Sequence, residues 1–392
     1  MVRKVKHTTR QVGEVTVYNH AKSFHGFTLL APIGSNQIFL IDMEGEAVHT
    51  WALPLPVAGD SMFLANGRLL YCARAKVEPL PDAEGAAGAI IELDWDANIA
   101  WRFDDPCLHH SFARTENGNT LALRWMHLPK ECERLVLGGI PPESNSPPLW
   151  SDSIIEVNPD GAVVWEWKAH EHLDPARDTI CPHCVRTHWP NLTSCDVLPN
   201  GDVVTSLHNL HNLAIIGRKS GDVHWRWGLG EIAHASAVAA LPNGHVLVLD
   251  NGMHTYYDPM GFSRVLEIDP ETSAIQWVYE DVPRSNFYTS IHGNGQRLPN
   301  QNTLVCDATE GRIFEVTPSG ERVWEFRSSL HMDSPLYGLT NYLFRAYRYG
   351  PDHSGLPGNI PAGSIPAPEP GDMAEDMPMS DVLQRRLESL GY

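Results

Sequence analysis

Short runs of apolar and β-branched residues, broken every few positions by Asn, Gly and Pro, fill most of this sequence. The stretch from Ile291 to Phe326 shows the pattern most clearly. Its first run ends at Leu298, Pro299 and Asn300 form a tight turn, and Thr303 to Cys306 runs back. Gly311 turns the chain into Arg312–Val316, and Pro318, Ser319 and Gly320 turn it again into Arg322–Phe326. Alternating runs separated by such residues predict consecutive antiparallel strands. Four strands in about forty residues predict one blade of a β-propeller.

Two marks of this blade recur along the chain. An Asn-Gly turn follows the first strand at Asn66-Gly67, Asn117-Gly118, Asn200-Gly201 and Asn243-Gly244, with Asn300-Gln301-Asn302 as a variant. A tryptophan marks the fourth strand at Trp51, Trp101, Trp165, Trp225, Trp277 and Trp324. Six fourth strands against five first-strand turns leave one blade without its inner strand. The N-terminal repeat offers only Phe27–Leu30, Gln37–Ile41 and Ala47–Trp51, so Leu336–Tyr349 is expected to complete it. Closure with strands from both ends removes exposed sheet edges. The prediction is therefore an all-β, six-bladed propeller over residues 24–349. A polar lead-in, 1–23, precedes it, and an extended Pro/Gly-rich tail, 350–392, follows. Ser380 and Asp381 are read as the cap of a short last helix. Its Leu383, Leu387 and Leu390 would dock on the body or on a second subunit, giving a homo-oligomer.

Charge narrows the partners. A formal net charge of −19 argues against nucleic acid and against an anionic membrane surface. No apolar run reaches transmembrane length, and no apolar signal core follows the basic N-terminus, so a cytoplasmic location is expected. Seven widely spread cysteines fit reduced thiols better than a disulfide framework. Histidine is abundant, at 20 of 392 residues, and its placement carries the candidate chemistry.

In a propeller blade the start of the first strand and the end of the second lie side by side at one mouth of the ring. His110, His188, His234 and His292 stand in the first of these slots in four consecutive blades, with His109 beside His110. Arg74, Arg124 with His127, His208 with His211, and His254 stand in the second. If the strand continues through His208 and His211, the two face opposite sides. Such a cluster suits two chemistries. Histidines act as nucleophiles and as general acids and bases, or as neutral ligands of a transition metal with a position open to substrate. Cys181-Pro-His-Cys184 adds a CxxC pair, read as a structural metal site, a redox pair or an ordinary thiol-bearing loop.

The segments GNGQRLPNQNTL (293–304), GRIFEVTPSGERVWEF (311–326), ALPNGHVLVLDNG (240–252), DVLPNGDVVTSL (196–207) and NYLFRAYRYGPDH (341–353) resemble the arylsulfotransferase family, as do the opening GFTLLAPIG and FLIDMEGEAVHTW. The resemblance spans residues 24–353. It implies a six-bladed propeller that moves a sulfuryl group between phenols without a nucleotide donor. In the family an axial histidine takes the group covalently, and further histidines and an arginine hold the oxyanion. Carried onto this chain, it implies His110, His188, His208, His234 and His292 as catalytic residues, with His234 or His292 the nucleophile. Arg74, Arg124 and His254 would bind a small aromatic or phenolic substrate, and no cofactor would be required. His208 departs from the family, which commonly carries arginine there. The alternative is a metal-dependent oxygenase, lyase or hydrolase with one transition metal ion at the axis on His110, His188, His234 and His292. A third reading is a binding propeller without catalysis.

Overall fold

The computed structural model describes residues 12–75, 85–142, 149–255, 261–334 and 337–358. The tail stripe, the last helix and the oligomer contact expected of them lie outside the described residues.

Six antiparallel sheets radiate from one axis; five have four strands and one has five, and in blades two to six the first blade strand is innermost. Blade two is built from Val57–Phe63, Leu69–Arg74, Gly88–Leu93 and Ile99–Asp104. Blades three to six begin on Leu108–Arg114, Leu192–Val197, Ala237–Ala240 and Asn294–Arg297. Blade one closes the ring. Its inner strand, Leu343–Tyr349, pairs antiparallel with Phe27–Pro32 and is followed outward by Gln37–Ile41 and Ala47–Ala52. The lead-in differs from expectation: Gly13–Tyr18 is a strand that pairs with Arg322–Ser328 and gives blade six a fifth, outermost strand. Its alternation, GEVTVY, covers an edge that would otherwise lie open.

Six hydrophobic clusters fill the six gaps between neighbouring blades. The recurring tryptophans explain how the gaps close. Indole N–H groups of Trp51, Trp225, Trp277 and Trp324 donate to the outer turn of the next blade, at Asp94 O, Ser273 Oγ, Pro318 O and Met43 O. In blade three this contact falls to Trp167, which donates to Gly221 O, while Trp165 lies under Arg218. An arginine from the next blade covers four of the marks: Arg114 over Trp101, Arg218 over Trp165, Arg297 over Trp277 and Arg348 over Trp324. Each of these arginines also pairs with a third-strand glutamate of the tryptophan's own blade, namely Glu92, Glu156, Glu267 and Glu315. Apolar contact, cation–π attraction and charge thus meet at one place.

Two pieces lie outside the blades and over one mouth. The insertion after Thr120–His127 carries the short strand Gly138–Ile140, which pairs in parallel with Ile180–Val185 of the connector into blade four. That connector strand packs against the turn His208–Leu210. Among the described residues no helix is long and apolar enough to cross a membrane.

Candidate active site at the histidine mouth

Five of the predicted histidines gather at the mouth formed by the starts of the first strands. His110 lies within the first strand of blade three, and His188, His234 and His292 precede those of blades four, five and six. His110 and His292 both pack against Phe344 from blade one, with ring centroids 5.3 and 5.0 Å away. His208 comes to the same mouth from the end of the second strand of blade four, its ring 4.5 Å from that of His234.

The expected opposition of His208 and His211 does not occur. The strand ends at Leu207, His208–Leu210 is a single 3-10 turn, and His211 takes a left-handed conformation at φ 54°. Both rings therefore reach His234, His211 at 4.4 Å. Left-handed backbone recurs at His234, His254 and His292, at φ 56°, 62° and 58°. Such a conformation is uncommon outside glycine and is held here by the surrounding contacts.

The hydrogen bonds assign roles. Nδ1–H of His208 donates to Ala235 O at 3.2 Å. A carbonyl accepts only, so Nδ1 carries the proton and Nε2 keeps its lone pair. Burial lowers the proton affinity of His208 well below the ordinary histidine value, as it does for His110, with neighbouring histidines adding to the effect. His208 is therefore held as a lone-pair donor through Nε2. His188 differs. Its Nε2 bonds Asp152 at 2.9 Å, and His109 shares the same carboxylate at 3.0 Å. The other Asp152 oxygen accepts the backbone N–H groups of Asn191 and Leu192. Burial alone would raise Asp152; the charge on His188 and the bonds from both histidines outweigh it and hold the carboxyl well below its usual range. The next residue after His208, Asn209, donates to the His188 carbonyl at 3.0 Å and joins the two histidines in one packed turn.

His234 and His254 face each other, Nδ1 of His254 to Nε2 of His234 at 3.1 Å. Cys181 and Cys184 lie against them, both sulfurs within 3.7 Å of His254 Nδ1 and Cys184 3.5 Å from His234 Nε2. The neighbouring Cys184 thiol lowers the proton affinity of Cys181, helped by His211 and His234, while Cys184 itself is raised.

The four histidines expected as alternative metal ligands do not share one coordination sphere among the described residues. His234 falls in the set Cys181, Cys184, His234 and His254, and His188 in the set His109, Asp152 and His188. The two predicted arginines part company. Arg74 ends the second strand of blade two at this mouth. The Arg124 guanidinium runs along its sheet to Ser153, Asp105 and Glu166, captured by two carboxylates away from the axis. The arginine on the axis is Arg345, which sequence reading missed. It pairs with Asp60 and donates to Ser111 Oγ (3.1 Å), Thr193 O (3.2 Å) and Ser236 O (3.3 Å), tying four other inner segments together. Asp60, Asp152 and Arg345 were legible only as charged residues within largely buried strands, VAGDSMF and LFRAYRY at the axis and WSDSIIEV third in blade three.

The Arylsulfotransferase (ASST) family model matches residues 33–241. No curated protein matches the chain. A protein of unknown function from Bacteroides caccae is similar in structure, at 13% identity and TM-score 0.53, covering 82% of this chain and 98% of that one. Virginiamycin B lyase from Staphylococcus aureus is similar at 11% identity and TM-score 0.41, covering 69% of each chain. The first of these likenesses concerns the fold alone.

Proposed function

We propose that this chain, which belongs to the arylsulfotransferase family, transfers a sulfuryl group between phenolic oxygens through His208. One observation carries the reading: Nδ1–H of His208 is fixed on the Ala235 carbonyl, which leaves Nε2 as an oriented, unprotonated nucleophile. His234 suits the role less well, because its Nε2 is engaged by His254 and Cys184.

In the first half-reaction Nε2 of His208 forms a bond to sulfur as the bond from sulfur to the aryl oxygen breaks. The leaving oxygen takes a proton from His188, whose imidazolium is stabilised by Asp152. In the second, an acceptor phenol returns its proton to His188, and its oxygen displaces the histidine nitrogen from sulfur. Atoms and charge balance without a cofactor. Asp152 sets the tautomer of His188 and itself remains ionised.

The test is turnover of 4-nitrophenyl sulfate with a phenol acceptor. The reading expects release of 4-nitrophenol that depends on the acceptor and is lost in His208→Ala. Activity retained in His208→Ala would refute the assignment. A folded wild type inert towards a panel of aryl sulfates and phenols would refute the function.

A further inference from the structure

We infer that Cys181, Cys184, His234 and His254 form a four-ligand zinc site, separate from the sulfuryl-transfer reading and independent of it. The four ligand atoms all lie within 4.8 Å of one another. They come from three distant places: the connector strand Ile180–Val185, the turn before blade five's inner strand, and the loop after its second strand, Val246–Asp250.

The distances fit a metal tetrahedron. Metal–sulfur bonds of about 2.3 Å and metal–nitrogen bonds of about 2.0–2.1 Å give sulfur–nitrogen edges of about 3.5–3.6 Å and a nitrogen–nitrogen edge of about 3.3 Å. Three of the four sulfur–nitrogen separations are 3.5, 3.6 and 3.7 Å, and the nitrogen–nitrogen separation is 3.1 Å. An N–H···N hydrogen bond accounts for the imidazole pair by itself, but two sulfurs set against the same nitrogens at these separations complete the donor set of a metal. Both ligand histidines lie in left-handed backbone, as do His211 and His292, and His234 is fully buried.

Two thiolates and two imidazoles in a tetrahedron select zinc over harder divalent cations. Four protein ligands leave no position for substrate, so the ion is structural. It ties the connector over the mouth and fixes His234, against which the His208 ring packs. A CxxC pair alone does not specify this site; the missing half of the ligand set comes from histidines fifty and more residues away.

The experiment is elemental analysis of the full chain after purification without chelators, followed by exchange with cobalt(II). One zinc per chain is expected. The cobalt form should show thiolate-to-cobalt charge transfer and the intense visible bands of a tetrahedral site. Cys181→Ser and His254→Gln should lose both signals, while Cys132→Ser keeps them. His254→Gln leaves both thiols in place and keeps the test valid if the cysteine variant misfolds. The inference is overturned if reduced, folded wild type takes up neither ion, or if His254→Gln binds cobalt with the wild-type spectrum. It is also overturned if Cys181 and Cys184 are joined in a disulfide and still refuse metal after reduction. None of these readouts depends on turnover, so the site and the sulfuryl-transfer reading stand or fall separately.

Discussion

The two mouths of the ring are made by opposite ends of the same strands, yet they hold opposite kinds of chemistry. At the hairpin mouth the charges are matched. Arg114, Arg297 and Arg348 close first strands and pair with Glu92, Glu267 and Glu315 of the preceding blade at 2.7, 2.7 and 2.6 Å. At the histidine mouth the side chains are lone-pair donors. His110, His208 and His234 are all held below the ordinary histidine value by burial, and the carboxylate at this mouth, Asp152, is shared by His109 and His188. Arg345 and Asp60 lie on the axis between the two. The difference separates jobs within one repeat. The hairpin end clasps neighbouring blades by matched charges, and the other end gathers histidines and cysteines.

The largest effect is expected where the hairpin mouth is most buried. Arg348 and Glu315 are both fully buried, so Arg348→Ala strands a carboxylate and should destabilise the fold by about 3–5 kcal/mol. Urea unfolding measures it, and the double change Arg348→Met with Glu315→Leu should recover most of the loss. If the single change costs less than about 1 kcal/mol, the clasp is ornamental. At the other mouth, His188→Gln keeps a donor for the buried Asp152, should cost about 1–3 kcal/mol of stability, and should slow sulfuryl transfer by about 100- to 10,000-fold. The loss should be smallest for aryl sulfates with the most acidic phenols, because their leaving groups need the proton least. A uniform loss across leaving groups would remove His188 from the acid role.

A smaller effect tests the tryptophan mark. Trp277→Phe removes one hydrogen bond of 2.8 Å to Pro318 and weakens the stacking of Arg297, and should cost about 1–2 kcal/mol in unfolding without altering turnover. Neutral histidine is a consequence of burial at any place in the fold, which His49 can check away from both mouths. Burial lowers its pKa to about 4, against about 6.5 in the unfolded chain. Below pH 6.5 the unfolded chain takes up a proton that the folded ring refuses. Stability therefore falls as pH drops from about 6.5 to about 4, and His49→Gln should fall less steeply over that window. The smallest effect belongs to the exposed pair Lys22–Glu321, where Lys22→Ala should change stability by about 0–1 kcal/mol.

The fold was legible because its signals are local. Asn-Gly turns and fourth-strand tryptophans repeat within each blade, and the unpaired segment ending at Tyr349 could be matched to the missing strand by counting. The lead-in strand Gly13–Tyr18 escaped because its alternation carries no turn before it and its partner lies more than three hundred residues away. The candidate site was legible by slot and not by contact. Register placed His110, His188, His234 and His292 at one end, but it could not say that His234 turns toward Cys184 or that His188 turns to Asp152. Those pairings depend on left-handed turns and on a 3-10 turn at His208–Leu210, which period-2 reading does not anticipate. Arg124 shows the reverse limit: its slot was correctly placed at the end of a strand, and two nearby carboxylates drew its side chain elsewhere.

The most direct test of the central claim is covalent. The full chain is mixed with 4-nitrophenyl sulfate in the absence of an acceptor, quenched rapidly under alkaline conditions, digested and analysed by mass spectrometry. The account predicts a burst of one 4-nitrophenol per active chain and a peptide containing His208 heavier by one SO3 group, discharged on adding a phenol. Turnover with the group on another residue, or with no covalent intermediate at all, would contradict it.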